Sequence, residues 1–130
     1  MMQPDASPPQ NTRPRRKNWL SLLVLLAVVA GASEGWSRWR DRDIAQTVRS
    51  GAAPGEIEMF TTQTCPYCAQ ARYWLDRHDI SWRECNVDTT PSCRTRFEAQ
   101  GAPGVPLMHV RGQWHLGFDA RWLAEAVQRP

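Results

Sequence analysis

The spacing of apolar positions changes twice along this chain, and each change marks a segment. Trp19–Ala32 reads Trp-Leu-Ser-Leu-Leu-Val-Leu-Leu-Ala-Val-Val-Ala-Gly-Ala, a nearly unbroken apolar run placed just after the basic cluster Arg13-Pro-Arg-Arg-Lys17. Positive charge followed by an apolar helix is the pattern of an export signal or a signal anchor. Counted from Trp19 to Trp36, the run just reaches the ~17–25 residues that cross a bilayer. Trp19 and Trp36, with Trp39, would then sit at opposite interfaces. Ala30-Gly-Ala32 also resembles a small-residue cleavage site, so a retained anchor, a removed signal and a buried helix all stand open. Residues 1–18 are polar and Pro-rich at first, then basic, and are expected to form a disordered tail, with residues 19–36 as the anchor or signal. In either export reading the cluster keeps the N-terminus in the cytoplasm, and the Cys-bearing domain, Gly55–Pro130, is exported, on the bacterial periplasmic side.

Glu34–Ser50 is charged, with Trp36, Trp39, Ile44 and Val48 scattered along it. It predicts a stalk helix that ends at Gly51-Ala-Ala-Pro-Gly55, so that residues 37–54 form stalk and linker. From residue 55 to 130 the pattern becomes that of a compact α/β unit. Ile57–Phe60 reads as a short strand. Pro66–His78 predicts a helix, with Ala71, Trp74, Leu75 and His78 on one face at i, i+3, i+4 and i+7. Ile80–Val87 predicts a second strand, and Thr90–Gln100 a second helix started by Pro91 and stopped by Gly101. Val105–Val110 and Gln113–Leu116 predict a hairpin turning at Arg111-Gly112. Asp119 can cap a last helix that buries Trp122, Leu123, Ala126 and Val127.

Charge removes one class of function. The chain has 16 Lys+Arg against 13 Asp+Glu, a net charge of +3, and without Arg13, Arg15, Arg16 and Lys17 the remainder is −1. A domain this close to neutral lacks the basic face that phosphate backbones require, so nucleic acid is not an expected partner. His78, His109 and His115 have no metal-ligand spacing, and no metal site is expected. The seven Trp divide between the membrane flanks and helical core faces rather than forming a cofactor box.

The chemistry lies in the four Cys. Thr64-Cys65-Pro66-Tyr67-Cys68 falls between a strand and a helix, where a Cys-x-x-Cys pair reads as a redox motif. The thiolate is the nucleophile, and a free thiol with pKa ~8.5 is mostly protonated at neutral pH. Cys65 at the helix N-terminus meets unpaired N–H groups and the positive end of the helix dipole, which favour the anion. Pro66 suits the first helical position, where its missing N–H goes unused. Cys68, one turn on, faces the same side and can attack a mixed disulfide formed at Cys65. Half of a zinc site and a purely structural disulfide are the competing readings of the pair. Cys85 and Cys93 admit three readings: small buried apolar residues, a disulfide joining strand to helix, or a second redox pair relaying electrons to Cys68.

Phe60-Thr-Thr-Gln-Thr-Cys-Pro-Tyr-Cys68, with Gly104-Val-Pro106 and Gly117-Phe-Asp119, resembles the glutaredoxins over about residues 56–128. The element order β-α-β-α-β-β-α is that of the thioredoxin-fold core. The expected fold is therefore α/β, a mixed four-stranded sheet flanked by helices, following an N-terminal hydrophobic helix. A βαβ start makes the first two strands parallel, and the short hairpin makes the last two antiparallel. The resemblance implies Cys65 as nucleophile and Cys68 as resolving thiol, with Pro66 and Tyr67 completing the motif. It implies Pro106 as a cis-proline facing them, and Val105 as the residue whose backbone pairs with a bound thiol peptide. Gly117, Phe118, Asp119 and Thr62 fall at positions that hold substrate.

Three positions depart from the glutathione-using members, which usually carry Lys at Thr62, Thr at Gly104 and Gly-Gly at Leu116-Gly117. Gly117-Phe118-Asp119 looks more like the redoxins served by thioredoxin reductase, and Arg72 is a candidate substitute charge. The expected function is thus disulfide exchange on protein or low-molecular-weight thiols by a monomer held to the membrane through residues 19–36. No bound cofactor is expected; glutathione or a thioredoxin-reductase-type donor would be the co-substrate. The alternative is a binding module on the same fold, holding an iron–sulfur cluster or a metal.

Overall fold

The computed structural model describes residues 16–130. Of the tail expected over residues 1–18, residues 1–15 lie outside the described residues. The chain forms α1 (Arg16–Gly51), β1 (Ile57–Thr61), α2 (Pro66–Arg77), β2 (Arg83–Asn86), α3 (Pro91–Ala99), β3 (Leu107–Val110), β4 (Gln113–Leu116) and α4 (Ala120–Ala126). It divides into two compact units, one ending at Ser37 and the other running from Arg38 to Pro130.

The first unit is the apolar part of α1, which is long and apolar enough to cross a membrane. Trp19, Leu22, Leu25, Leu26, Val28 and Val29 are all exposed along it. Among the described residues nothing covers this stretch, a pattern shared by membrane spans and signal sequences.

In the second unit the sheet order is β2-β1-β3-β4. β1 and β2 are parallel, with Met59 opposite Glu84, whereas β1–β3 and β3–β4 are antiparallel. This is the thioredoxin/glutaredoxin-like arrangement that the element order predicts. Alternation along β1 divides the core in two. Ile57 and Met59 pack with Ala71 and Leu75 of α2, Met108 and Val110 of β3, and Leu123 and Ala126 of α4. Phe60 faces the other way, where Cys85, Val87, Cys93 and Leu107 close a smaller cluster under α3.

Two boundaries differ from the sequence reading. The stalk expected over 37–54 is helical as far as Gly51, but it does not stand free: Ala45 and Val48 are buried in the main core. The spacing i, i+3 puts them on one face, a signal too short to separate from a solvated helix. The strand expected over Ile80–Val87 begins only at Arg83, because the chain is still closing α2 at Ile80. The Ile80 N–H donates to the Leu75 carbonyl at 3.1 Å, Asp79 takes a left-handed φ of 53°, and the Trp82 indole N–H donates to Asp76. At the hairpin, Arg111 and Gly112 have φ of 49° and 77°, the paired left-handed turn that matches strand twist.

Candidate active site

β1 ends at Thr61 and α2 begins at Pro66, so the intervening loop brings Cys65 to the N-cap of α2. Its backbone is extended, and its Sγ accepts the Cys68 N–H at 3.0 Å. A helix N-cap needs an acceptor for such an orphan donor, and here sulfur takes the place that a Ser or Asp oxygen commonly fills. Cys65 and Cys68 are disulfide-bonded, with Cα atoms 5.2 Å apart. Their exposure is unequal: Cys68 is fully buried, while Cys65 is half-buried and Pro66 and Tyr67 are exposed. Any reagent from solvent reaches Cys65 first.

Opposite the pair, the Val105–Pro106 peptide is cis, and the Val105 carbonyl oxygen lies 3.8 Å from the Cys65 sulfur. The Pro106 carbonyl accepts the Gly117 N–H at 2.8 Å, which ties this turn to the end of β4. Gly117 has φ of 86°, so the chain can double back here without a side chain in the way. Beside the disulfide runs a groove of about 480 Å³. Tyr67 and Gln70 of α2 form one wall; Pro103, Gly104, Val105 and Pro106 form the floor; Leu116, Gly117 and Phe118 form the other wall. Among the described residues no charged side chain lines it. Phe118 is backed by Trp74, with ring centroids 5.3 Å apart.

Of the residues expected to hold substrate, Val105, Gly117 and Phe118 line this groove, whereas Thr62 and Asp119 do not. Asp119 instead caps α4, accepting the N–H groups of Arg121 (2.8 Å) and Trp122 (3.2 Å). Arg72, the candidate substitute charge, is paired with Glu84, which also accepts from the Thr61 hydroxyl; its Nε is buried without a partner. Gln70 and Pro103 were not foreseen. The signal for Gln70 was present, since it stands at i+3 from Tyr67 on the same helical face.

Cys85 and Cys93 are disulfide-bonded to each other, with Cα atoms 5.4 Å apart, on the α3 side of the sheet. Beside them Glu58, 3% exposed, faces Arg96, Arg83 and His109. Burial alone would raise the Glu58 pKa, but the hydrogen bond and charge of Arg96, with the charges of Arg83 and His109, hold it below the usual carboxylate value. Burial lowers the pKa of His109, and the attraction of Glu58 offsets this only in part.

The fold and the Cys65–Cys68 pair define a thioredoxin-fold protein fitted for thiol–disulfide exchange. The glutaredoxin family model matches residues 57–115. The chain is 31% identical over 62 residues to a glutaredoxin of Pseudomonas aeruginosa, covering 47% of this chain and 73% of that protein. To glutaredoxin 3 of Escherichia coli K12 it is 28% identical over 71 residues, 54% of this chain and 86% of that one. A shorter stretch of 38 residues, 29% of this chain, is 40% identical to the global transcriptional regulator Spx of Streptococcus mutans, and spans only 28% of that protein's length. The chain belongs to the glutaredoxin family.

Proposed function

We propose that this protein is a membrane-anchored thiol–disulfide oxidoreductase that acts on protein thiols or disulfides through Cys65. The observation that carries the reading is the half-buried Cys65 at a helix N-cap, bonded to a fully buried Cys68 beside an uncharged groove. In the reduced form the Cys65 thiolate would keep the Cys68 N–H as a donor, and the start of a helix favours an anion there. Cys65 attacks a substrate disulfide and forms a mixed disulfide, with one substrate thiolate leaving. The Cys68 thiolate then attacks the Cys65 sulfur, the second substrate thiolate leaves, and the Cys65–Cys68 disulfide remains. Two electrons have passed to the substrate. With an oxidised enzyme and a reduced substrate the same steps run in reverse, and the two reduction potentials decide the direction.

The groove favours an extended peptide over glutathione. Val105 offers backbone groups for strand-like pairing, and Tyr67, Leu116 and Phe118 offer apolar contact. The carboxylates of glutathione find no cation among the lining residues, and Arg72 is already engaged by Glu84. The exposed apolar stretch of α1 supports an anchor through residues 19–36, with the redox unit on the exported side. Reduction of a disulfide-bonded protein substrate, followed with thioredoxin reductase or with glutathione and its reductase as electron source, tests this. Turnover is expected with a protein substrate and is lost in Cys65→Ser. Turnover that survives Cys65→Ser, or an iron–sulfur absorbance band in the freshly purified chain, would overturn it.

A further inference from the structure

Where the anchor ends, the chain gathers cations that the redox site does not use. Arg42 and Arg49 of α1 and Arg77 of α2 make no ion pair among the described residues. Ordinary surface arginines are scattered, but these three converge. A cavity of about 630 Å³ is lined by Arg38, Asp41, Arg42, Tyr73, Arg77 and His78, with Trp74 behind them. A second, of about 230 Å³, shares Arg42, Arg77 and His78 with it and adds Arg49 and Asp79. Arg77 is set in place by Tyr73, whose hydroxyl accepts from it at 3.2 Å and whose ring lies 5.8 Å from the guanidinium carbon. Two acids, Asp41 and Asp79, also line the two cavities, and Arg42, Arg49 and Arg77 alone outnumber them.

The position along α1 says what such a site would meet. A span from Trp19 to Trp36 has a length of roughly 27 Å at 1.5 Å per residue, close to the ~30 Å hydrocarbon thickness. Arg38 and Arg42 follow Trp36 by two and six residues, on the headgroup side of such a span. Planar guanidinium groups bind phosphate oxygens in pairs, which suits them to a phosphodiester better than to a carboxamide or sugar.

We propose that the cavity between the end of α1 and the end of α2 binds the phosphate of an anionic lipid headgroup, with Arg42 and Arg77 as its principal ligands. This rests on the membrane anchor proposed for residues 19–36.

The test is arginine modification by phenylglyoxal in the full chain, mapped by mass spectrometry. The chain is placed in lipid nanodiscs of phosphatidylcholine alone or of phosphatidylcholine mixed with phosphatidylglycerol. Modification of Arg42 and Arg77 is expected to slow by about tenfold in the mixed discs, the factor that 1.4 kcal/mol represents. Arg40 lines neither cavity and should slow far less. Arg42→Gln should return Arg77 to its rate in neutral discs. Equal slowing at Arg40 would show only diffuse attraction to a charged surface and would overturn the proposal, as would no slowing at all. Equal protection of Arg42 and Arg77 by millimolar inorganic phosphate in neutral discs would make this a soluble-anion site and also overturn it. Failure of the chain to co-elute with discs is a separate outcome, which overturns the anchor reading and the lipid site with it.

Discussion

Opening the Cys85–Cys93 bond should loosen the α3 side of the domain while leaving Cys65 and Cys68 chemically intact. The bond joins β2 to α3 across a sequence separation of 8 residues. In the unfolded chain, removing the freedom of a loop that size corresponds to ~8 cal/mol/K, or roughly 2.5 kcal/mol at 25 °C. Both sulfurs are also buried against Phe60, Val87 and Leu107, so replacing them by Ala would add a cavity cost on the order of 1 kcal/mol each. To isolate the cross-link, the comparison uses a Cys65→Ser/Cys68→Ser background, in which this is the single remaining disulfide. Urea unfolding is then measured with and without a dithiol reductant. Trp114 reports from the same cluster, its ring centroid 5.3 Å from that of Phe60. Reduction should lower stability by about 2–3 kcal/mol, and lower the melting temperature by roughly 10–20 °C for a unit of this size. A loss under about 0.5 kcal/mol, within the error of such extrapolations, would refute the reasoning: the bond would not restrain the unfolded chain as the loop argument requires.

Acid should destabilise the domain in two stages. Because His109 has its pKa lowered by burial below 6.5, the unfolded chain takes up a proton that the folded chain refuses. Stability therefore falls as pH drops through 6.5 toward the folded value. The lowered pKa of Glu58 adds a second loss, beginning near its ordinary 4.5 and continuing as pH falls through the folded value. Urea midpoints across this range should show both limbs, and His109→Gln should flatten the upper one and shrink the lower only slightly, since Arg96 remains the main partner of Glu58; an unchanged upper limb would contradict the assignment. Glutathione should be a poor substrate that improves when a cation is restored: Thr62→Lys is expected to raise deglutathionylation of a small mixed disulfide by about tenfold or more, since a charge-assisted hydrogen bond contributes ~1.5–3 kcal/mol. Arg72→Gln should leave that rate nearly unchanged, because Glu84 already holds Arg72, and a large fall would show that Arg72 reaches the ligand.

The redox pair was legible because its chemistry is local: Cys65, Pro66 and the helical periodicity after them fix an N-cap within five residues. The hairpin was legible for the same reason, since Arg111-Gly112 carries the left-handed turn. Long-range facts were not. Cys85 and Cys93 are a strand residue and a helix residue whose spacing alone does not place their Cα atoms within bridging distance. The burial of Ala45 and Val48 depends on what packs against them, and a charged helix face reads the same whether or not a core lies behind its two apolar positions. Asp119 was legible as a cap: a carboxylate just before an apolar-periodic run predicts the N–H groups of Arg121 and Trp122 that it accepts at the start of α4.

If exchange begins at Cys65, as proposed, its mixed disulfide with substrate can be trapped. In Cys68→Ala the resolving thiol is gone, so a mixed disulfide formed with a disulfide-bonded protein substrate has no internal route to breakdown. After reaction of the reduced variant and peptide mapping without reductant, the substrate is expected on the peptide carrying Cys65, and a dithiol should release it. Substrate found instead on Cys85 or Cys93, or full exchange activity persisting in Cys65→Ala, would contradict the account.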